Sequence, residues 1–270
     1  MKSLLSLPAE IYQNRKMVYK LAKNDFKTKF AGSYLGIFWA FVQPVVTVLV
    51  YWFVFEVGFR SADSTLTVPF LLYLVAGIIP WFFFQDALIG GSNSMIEYSY
   101  LVKKVVFNIS VLPVVKLIAS LFVHIFFVCF IILLYCFYGK FPDLYYLQLF
   151  YYSAGLLLLI LGLSYVTSAV VVFFRDLSQI ISIGLQIGVW LTPIMWVAED
   201  RLVNYPVIYK ILKLNPVYYV VSGYRDAFIY KRWFWEHPVW TLYFWCFTIG
   251  MLLFGSKIFK KLKIHFADVL

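Results

Sequence analysis

Residues 144–174, LYYLQLFYYSAGLLLLILGLSYVTSAVVVFF, run for 31 residues without one charged side chain. A helix on the surface of a soluble protein keeps a polar face. This stretch is apolar on all sides. About 20 apolar residues suffice for a helix to cross roughly 30 Å of hydrocarbon, and a longer run crosses with tilt. A transmembrane β-strand would alternate apolar and polar residues over about 10 positions, and the stretch does not. It reads as a membrane-spanning helix, and the rest of the chain repeats it. Leu35–Phe55 is uncharged, as are Ser64–Gln85, Leu117–Gly139, Leu177–Ala198 and Pro238–Ser256. Past Asp86 the second of these stays apolar to Ile96. The reading is an all-α polytopic membrane protein with six spans, at 35–59, 66–91, 112–138, 146–174, 177–198 and 238–257.

Composition agrees. The 270 residues are 63% hydrophobic and 13% charged, against about half and a quarter in soluble domains. That excludes a cytosolic globular domain, and the apolar excess excludes disorder. The net charge of +10 would suggest nucleic acid in a soluble protein, but here basic residues set topology. Both termini are expected in the cytoplasm. That places Lys2, Arg15, Lys16, Lys20, Lys23, Lys27, Lys29, Lys103, Lys104, Lys116, Arg175, Lys257, Lys260, Lys261 and Lys263 inside. Arg60 and Lys140 fall outside, with Arg201, Lys210, Lys213, Arg225, Lys231 and Arg232 of the segment 199–237. Cys129, Cys136 and Cys246 lie in apolar runs with no metal-ligand spacing. Residues 1–30 lack the apolar core of a signal peptide.

Three segments between the spans carry pattern. Over 9–30, Tyr12, Val18, Leu21, Ala22, Phe26 and Phe30 share one helical side, and Lys16, Lys20, Lys23 and Lys27 mark the other. This predicts an amphipathic helix in the inner interface. Residues 92–116 hold more apolar surface than a solvated loop carries, with Met95, Ile96, Tyr98, Leu101, Val102 and Val105. A short helix at 93–106 would either dock into a cytosolic partner or pack back on its own spans. Between 202 and 230, two apolar pieces too short to span flank Asn215-Pro216. They suggest a re-entrant helical hairpin between spans 5 and 6, or a folded outer loop.

Catalytic signatures are absent. The sequence has no G-x-x-x-x-G-K-[ST], H-E-x-x-H or G-x-S-x-G, and no D-x-D or D-D-x-x-D pair. No catalytic residue, metal site or cofactor is expected in this chain. Aromatic residues are abundant, at 21%. Rings at span ends form interfacial belts, and rings along a passage can stack on sugar faces.

GSYLGIFWAFVQPVVTVLVYWFVF at 32–55 resembles the first span of the type-2 ABC exporter permeases for polysaccharides and polyol phosphates. LVKKVVFNISVLPVVKL at 101–117 is similar to their cytoplasmic coupling region, and FFRDLSQIISIGLQIGVWLTPIMW at 173–196 to their fifth-span region. LNPVYYVVSGYRDAFIY at 214–230 resembles their extracellular re-entrant segment. YWFVFEVGFRS at 51–61 and HFADVL at 265–270 look most like the teichoic-acid branch, while the middle of the chain looks equally like O-antigen exporters.

The resemblance implies one transmembrane domain over 1–270 in the bacterial cytoplasmic membrane. It implies a second copy of the chain and two ATP-binding cassette subunits, which bind the ATP and magnesium. The cargo would be an undecaprenyl-diphosphate-linked glycan or teichoic polymer, with membrane lipids as neighbours and no nucleic acid. On this reading Met95, Ile96, Glu97, Tyr98, Leu101, Lys103 and Lys104 couple to the ATPase, and Lys27 and Lys29 meet the diphosphate. Tyr34, Trp39, Tyr51, Trp52, Trp190 and Trp196 are the channel-lining candidates. The alternatives are a type-2 exporter of drugs or simple lipids, a membrane glycosyl- or prenyl-transferase, and a partner-free channel or scramblase. The missing carboxylate pairs oppose the transferase.

Overall fold

The structure, a computed structural model, describes residues 10, 12–29, 33–58, 66–103 and 108–270. It is helical, with no strand among the described residues. Helix α1 spans Arg15–Thr28. Helix α2, Trp39–Trp52, lies within a continuous helical run from Gly36 to Gly58. Helix α3 spans Phe70–Glu97, and α4 is a single turn at Ser99–Val102. Helices α5 (Leu112–Phe137), α6 (Gln148–Val171) and α7 (Leu177–Leu191) follow. Three shorter helices lie between α7 and the last long one: α8 (Ala198–Arg201), α9 (Pro206–Lys213) and α10 (Pro216–Arg225). Helix α11 spans Pro238–Leu262, and α12 closes the chain at Phe266–Val269.

Five helical runs among the described residues are long and apolar enough to cross a membrane: 36–58, 70–97, 109–137, 144–171 and 238–265. The fifth expected span is shorter than its hydropathy suggests. Uncharged sequence continues to Ala198, but α7 stops at Leu191 after 15 residues. At 1.5 Å per residue that is about 22 Å, short of a full crossing. The cause is local. Thr192 precedes Pro193, which disfavours helical backbone at the residue before it, and Thr192 is extended at φ −82°, ψ 124°.

The broken end of α7 is held from a distant helix. Arg225, at the end of α10, donates from Nη1 to the Pro193 carbonyl and from Nη2 to the Ile194 carbonyl, each at 2.6 Å. Its guanidinium lies 3.7 Å from the centre of the Tyr73 ring on α3. It is 3% exposed. A charge counted for topology in the sequence is therefore a buried capping group.

Helix α3 is the central element, in contact with α2, α5, α6, α7 and α10. Helix α6 packs along α11, where small residues allow the backbones to approach. A Cβ on Gly255 would lie 2.4 Å from the Gly162 carbonyl oxygen, and one on Gly162 would lie 2.8 Å from the Leu252 amide nitrogen. Backbone cannot yield as a flexible side chain would. Gly255→Val is therefore expected to cut the yield of folded protein in detergent several-fold, read by size-exclusion chromatography. Gly250→Val, at a position with open space around its Cβ, is the control and is expected to leave it unchanged.

Helix α1 lies against the bundle rather than in lipid alone. Val18 and Ala22 are buried in a cluster with Met95, Val102, Leu112 and Val115. Leu21 and Phe26 are half-buried, and Phe26 meets Phe122 edge-on at 6.0 Å. Tyr12, expected on the same face, is exposed, as are Lys16, Lys20, Lys23 and Lys27. Phe30 falls outside the described residues.

The segment between α7 and α11 breaks at Asn215-Pro216. The Asn215 side chain caps α10 by accepting from the Val217 amide at 3.0 Å, and its Nδ2 donates to Thr192 Oγ1 at 2.9 Å. Helix α10 is buried against α3 and α6, whereas no residue of α9 is buried.

Candidate functional site

Polar groups interrupt the apolar interior at several places, and two of these adjoin one another. The first lies where α1 crosses the ends of α3 and α5. Asp25 Oδ1 accepts from the Tyr98 hydroxyl at 2.6 Å and from Lys116 Nζ at 2.6 Å. Lys116 also donates to Glu97 Oε2 at 2.5 Å and sits 5.1 Å over the Tyr98 ring. Asp25 and Lys116 are buried, and the Glu97 side chain is half exposed. Burial, then the hydrogen bond to Asp25, pushes the Tyr98 phenol up from its ordinary value. Tyr98 therefore stays protonated and donates. The cluster ties α1 to the end of α3 and to α5.

The second feature is a cavity of about 510 Å³ between α2, α3, α5 and α7. Trp39, Tyr51, Trp81 and Trp190 supply flat faces, and Gln43, Gln85 and Gln186 supply amides. Lys29 pairs with Asp86 on its lining, and the other Asp86 oxygen accepts from Ser120 Oγ at 2.7 Å. A second cavity, of about 330 Å³, shares Lys29, Asp86 and Ser120 and extends to Lys116, Glu97 and Asp25. The ion cluster and the larger cavity are thus neighbours.

Of the channel-lining candidates, the structure brings Trp39, Tyr51 and Trp190 to the larger cavity, with the Tyr51 and Trp190 rings 6.3 Å apart. Trp52 is not on that lining and packs, as Tyr51 also does, against the main core. Tyr34 precedes the first span and is fully exposed. Trp196 lines a separate cavity with Phe55 and Phe70, and its indole donates to the Trp190 carbonyl at 3.4 Å. Lys27 is exposed in the last turn of α1, while Lys29 is engaged by Asp86.

The segment expected as one helix over 93–106 is divided. Met95, Ile96 and Glu97 are the last turn of α3, and a separate turn forms only at Ser99–Val102. Met95, Tyr98 and Val102 face the core, Leu101 is half-buried, and Tyr100 and Lys103 are exposed. Lys104 lies outside the described residues.

Sequence reading passed over Gln43, Gln85, Gln186 and His124 as site residues. Each is a polar residue inside an apolar run, which in a membrane helix marks a side facing the bundle interior or a wet cavity. Among the described residues no group of three His, Cys, Asp or Glu side chains is placed to hold a metal.

The sequence profile described as ABC-2 type transporter matches residues 17–229. The chain is 28% identical over 255 residues to the O-antigen export system permease protein RfbA of Klebsiella pneumoniae, covering 93% of each. It is 26% identical over 265 residues to the protein of the same name from Myxococcus xanthus, covering 98% of this chain and 99% of that relative.

Proposed function

The chain belongs to the ABC-2 type transporter family, and on that premise we propose that it is the permease subunit of a polysaccharide exporter. The cargo is a glycan or teichoic polymer on an undecaprenyl diphosphate lipid, moved from the inner to the outer leaflet of the bacterial cytoplasmic membrane. ATP hydrolysis in two separate subunits drives the movement, and two copies of this chain form the passage. The observation that carries the reading is end-to-end similarity to permeases named for O-antigen export. The cavity is consistent with it, since aromatic faces and amides suit carbohydrate better than a purely apolar cargo.

The ion cluster lies on the cytoplasmic side, where α1 and the C-terminal lysines gather under the positive-inside rule. The partner subunits meet the exposed side of the segment through Tyr100 and Lys103, and its buried side transmits their motion to α3 and α1. The diphosphate meets Lys27 first. Lys29 is shared, because a phosphate oxygen competes there with Asp86. Both contacts are charge-assisted hydrogen bonds.

Measuring surface polymer by immunoblot of intact cells tests the reading. Loss of the chain is expected to remove the polymer from the surface and leave lipid-linked polymer inside. Lys27→Gln with Lys29→Gln is expected to lower export about thirtyfold, as the loss of two charged contacts of about 1 kcal/mol each would. Unchanged export in that double variant would remove both lysines from the headgroup role.

A further inference from the structure

We propose that α9 seats its open face in the outer leaflet of the membrane and that the lysines along its edge take anionic lipid headgroups. The inference goes beyond the export reading. It rests on the outside placement of 199–237 that the distribution of basic residues implies.

The two arms of the segment between α7 and α11 differ in what covers them. Helix α10 is buried against α3 and α6. In α9 no residue is buried. Val207, Ile208 and Ile211, with Leu214 just past its end, are 68%, 47%, 60% and 59% exposed. At about 100° per residue these four share one arc of the helix. Tyr209, Leu212 and Lys213 fall on the opposite arc and are half-buried. The protein covers that side and leaves the aliphatic side open.

Two contacts fix the depth of α9. The Trp240 indole donates to the Lys213 carbonyl at 3.0 Å, and the Tyr243 hydroxyl donates to the Leu214 carbonyl at 2.6 Å. Both rings belong to the first two turns of α11, which begins at Pro238. Trp and Tyr at the end of a span mark the headgroup level. On the same turns Val239 and Leu242 are exposed, and on a membrane span such residues meet lipid. The open arc of α9 therefore starts beside a surface that lipid already covers.

Charge selects the occupant. Lys210 is exposed at one edge of the open arc. Lys213 follows on that edge, 4.4 Å over the Tyr209 ring and 5.2 Å over the Trp240 ring. An aliphatic arc edged by lysines is the pattern of a helix lying in a membrane interface, with its ammonium groups toward anionic lipid. A two-fold contact with a second copy would set the same patch against itself, lysine facing lysine. The anchored end of α9 leads into Asn215, which caps α10 and donates to Thr192 at the broken end of α7. Lipid contact at α9 is thus one residue away from the break in the fifth span.

The test uses the permease assembled with its ATP-binding partner in nanodiscs of phosphatidylcholine, with and without phosphatidylglycerol. Cys129, Cys136 and Cys246 are replaced by alanine, and a nitroxide is attached through Ile211→Cys or, separately, through Asn204→Cys in the turn before α9. Collisions with oxygen report lipid, and collisions with a water-soluble nickel chelate report water. The oxygen-to-nickel ratio at 211 is expected to exceed that at 204 by about threefold or more. Val207→Cys is expected to match 211 and replaces it if that variant folds poorly. Lys210→Glu is expected to lower the ratio at 211 by about twofold with phosphatidylglycerol present and to leave it unchanged without it. Nickel contact at 211 equal to that at 204 would overturn the proposal, because the face would then stand in water. Protection from both reagents would overturn it as well, with dipolar broadening between labels identifying a second copy as the cover. A Lys210→Glu effect of the same size in neutral lipid would overturn the headgroup contact. In intact cells a membrane-impermeant maleimide is expected to label Asn204→Cys. No labelling there would overturn the outside placement, whatever the nanodiscs show.

Discussion

Lys116→Met is expected to destabilise the protein by about 3–5 kcal/mol, the range for removing one partner of a buried ion pair. The reason is what remains behind. Asp25 is buried and would keep only the Tyr98 hydroxyl as a donor. Glu97 loses Lys116 as well, but its half-exposed side chain can turn to solvent. Met matches the stem of Lys in size, so the lost packing is small and the stranded carboxylate dominates. The double variant Asp25→Leu, Lys116→Met removes both charges and is expected to recover most of the loss, since apolar replacements of a whole buried pair are often neutral. Thermal unfolding in detergent checks both. A double variant no better than the single one would show that the cluster matters for something other than the buried charge. Limited proteolysis adds a local readout, with cleavage after α1 expected to accelerate in the single variant only.

Arg225→Ala is expected to cost a similar amount for a different reason. It strips the donors from two carbonyls at the end of α7, each worth about 1–3 kcal/mol when left unpaired in the interior, and opens a cavity under Tyr73. The apparent melting temperature should fall by on the order of 10 °C. Arg225→Lys should recover only part of this, because an ammonium group is a point charge while guanidinium is a planar fork that reaches two acceptors at once. Full recovery by Lys would mean that charge alone, rather than the two-carbonyl clasp, holds α7 to α10.

These two residues show what the sequence reveals and what it hides. Span positions are legible because a helix in hydrocarbon needs only length and apolarity, and a run such as 144–174 leaves no other reading. The break at Asn215-Pro216 is legible because proline restricts the residue before it. The short α7 follows from the same rule at Thr192-Pro193, but uncharged sequence on both sides of the proline hides it from a count of run lengths. Arg225 and Lys116 look like topological charges from sequence, since nothing local separates a lysine at the membrane surface from one that bridges two carboxylates. Their partners lie well beyond local reach in sequence: 31 and 32 residues away for Arg225, 91 and 19 for Lys116.

The cavity shows the same limit. Trp39, Tyr51 and Trp190 are readable as ring candidates, and the structure places them on one lining. Trp52, equally aromatic and one residue from Tyr51, is not on that lining, because neighbouring residues on a helix face directions about 100° apart. Gln43, Gln85 and Gln186 are visible singly as polar interruptions, and only packing shows that they meet.

Membership of an ATP-driven exporter is the central claim, and one measurement reaches it most directly. The tagged chain is purified from its native cells in a mild detergent, and the proteins that travel with it are identified by mass spectrometry. The account predicts a P-loop ATPase in equal amount to the permease. A permease that emerges under the same gentle conditions without any ATPase, yet still passes lipid-linked polymer across liposomes, would contradict it.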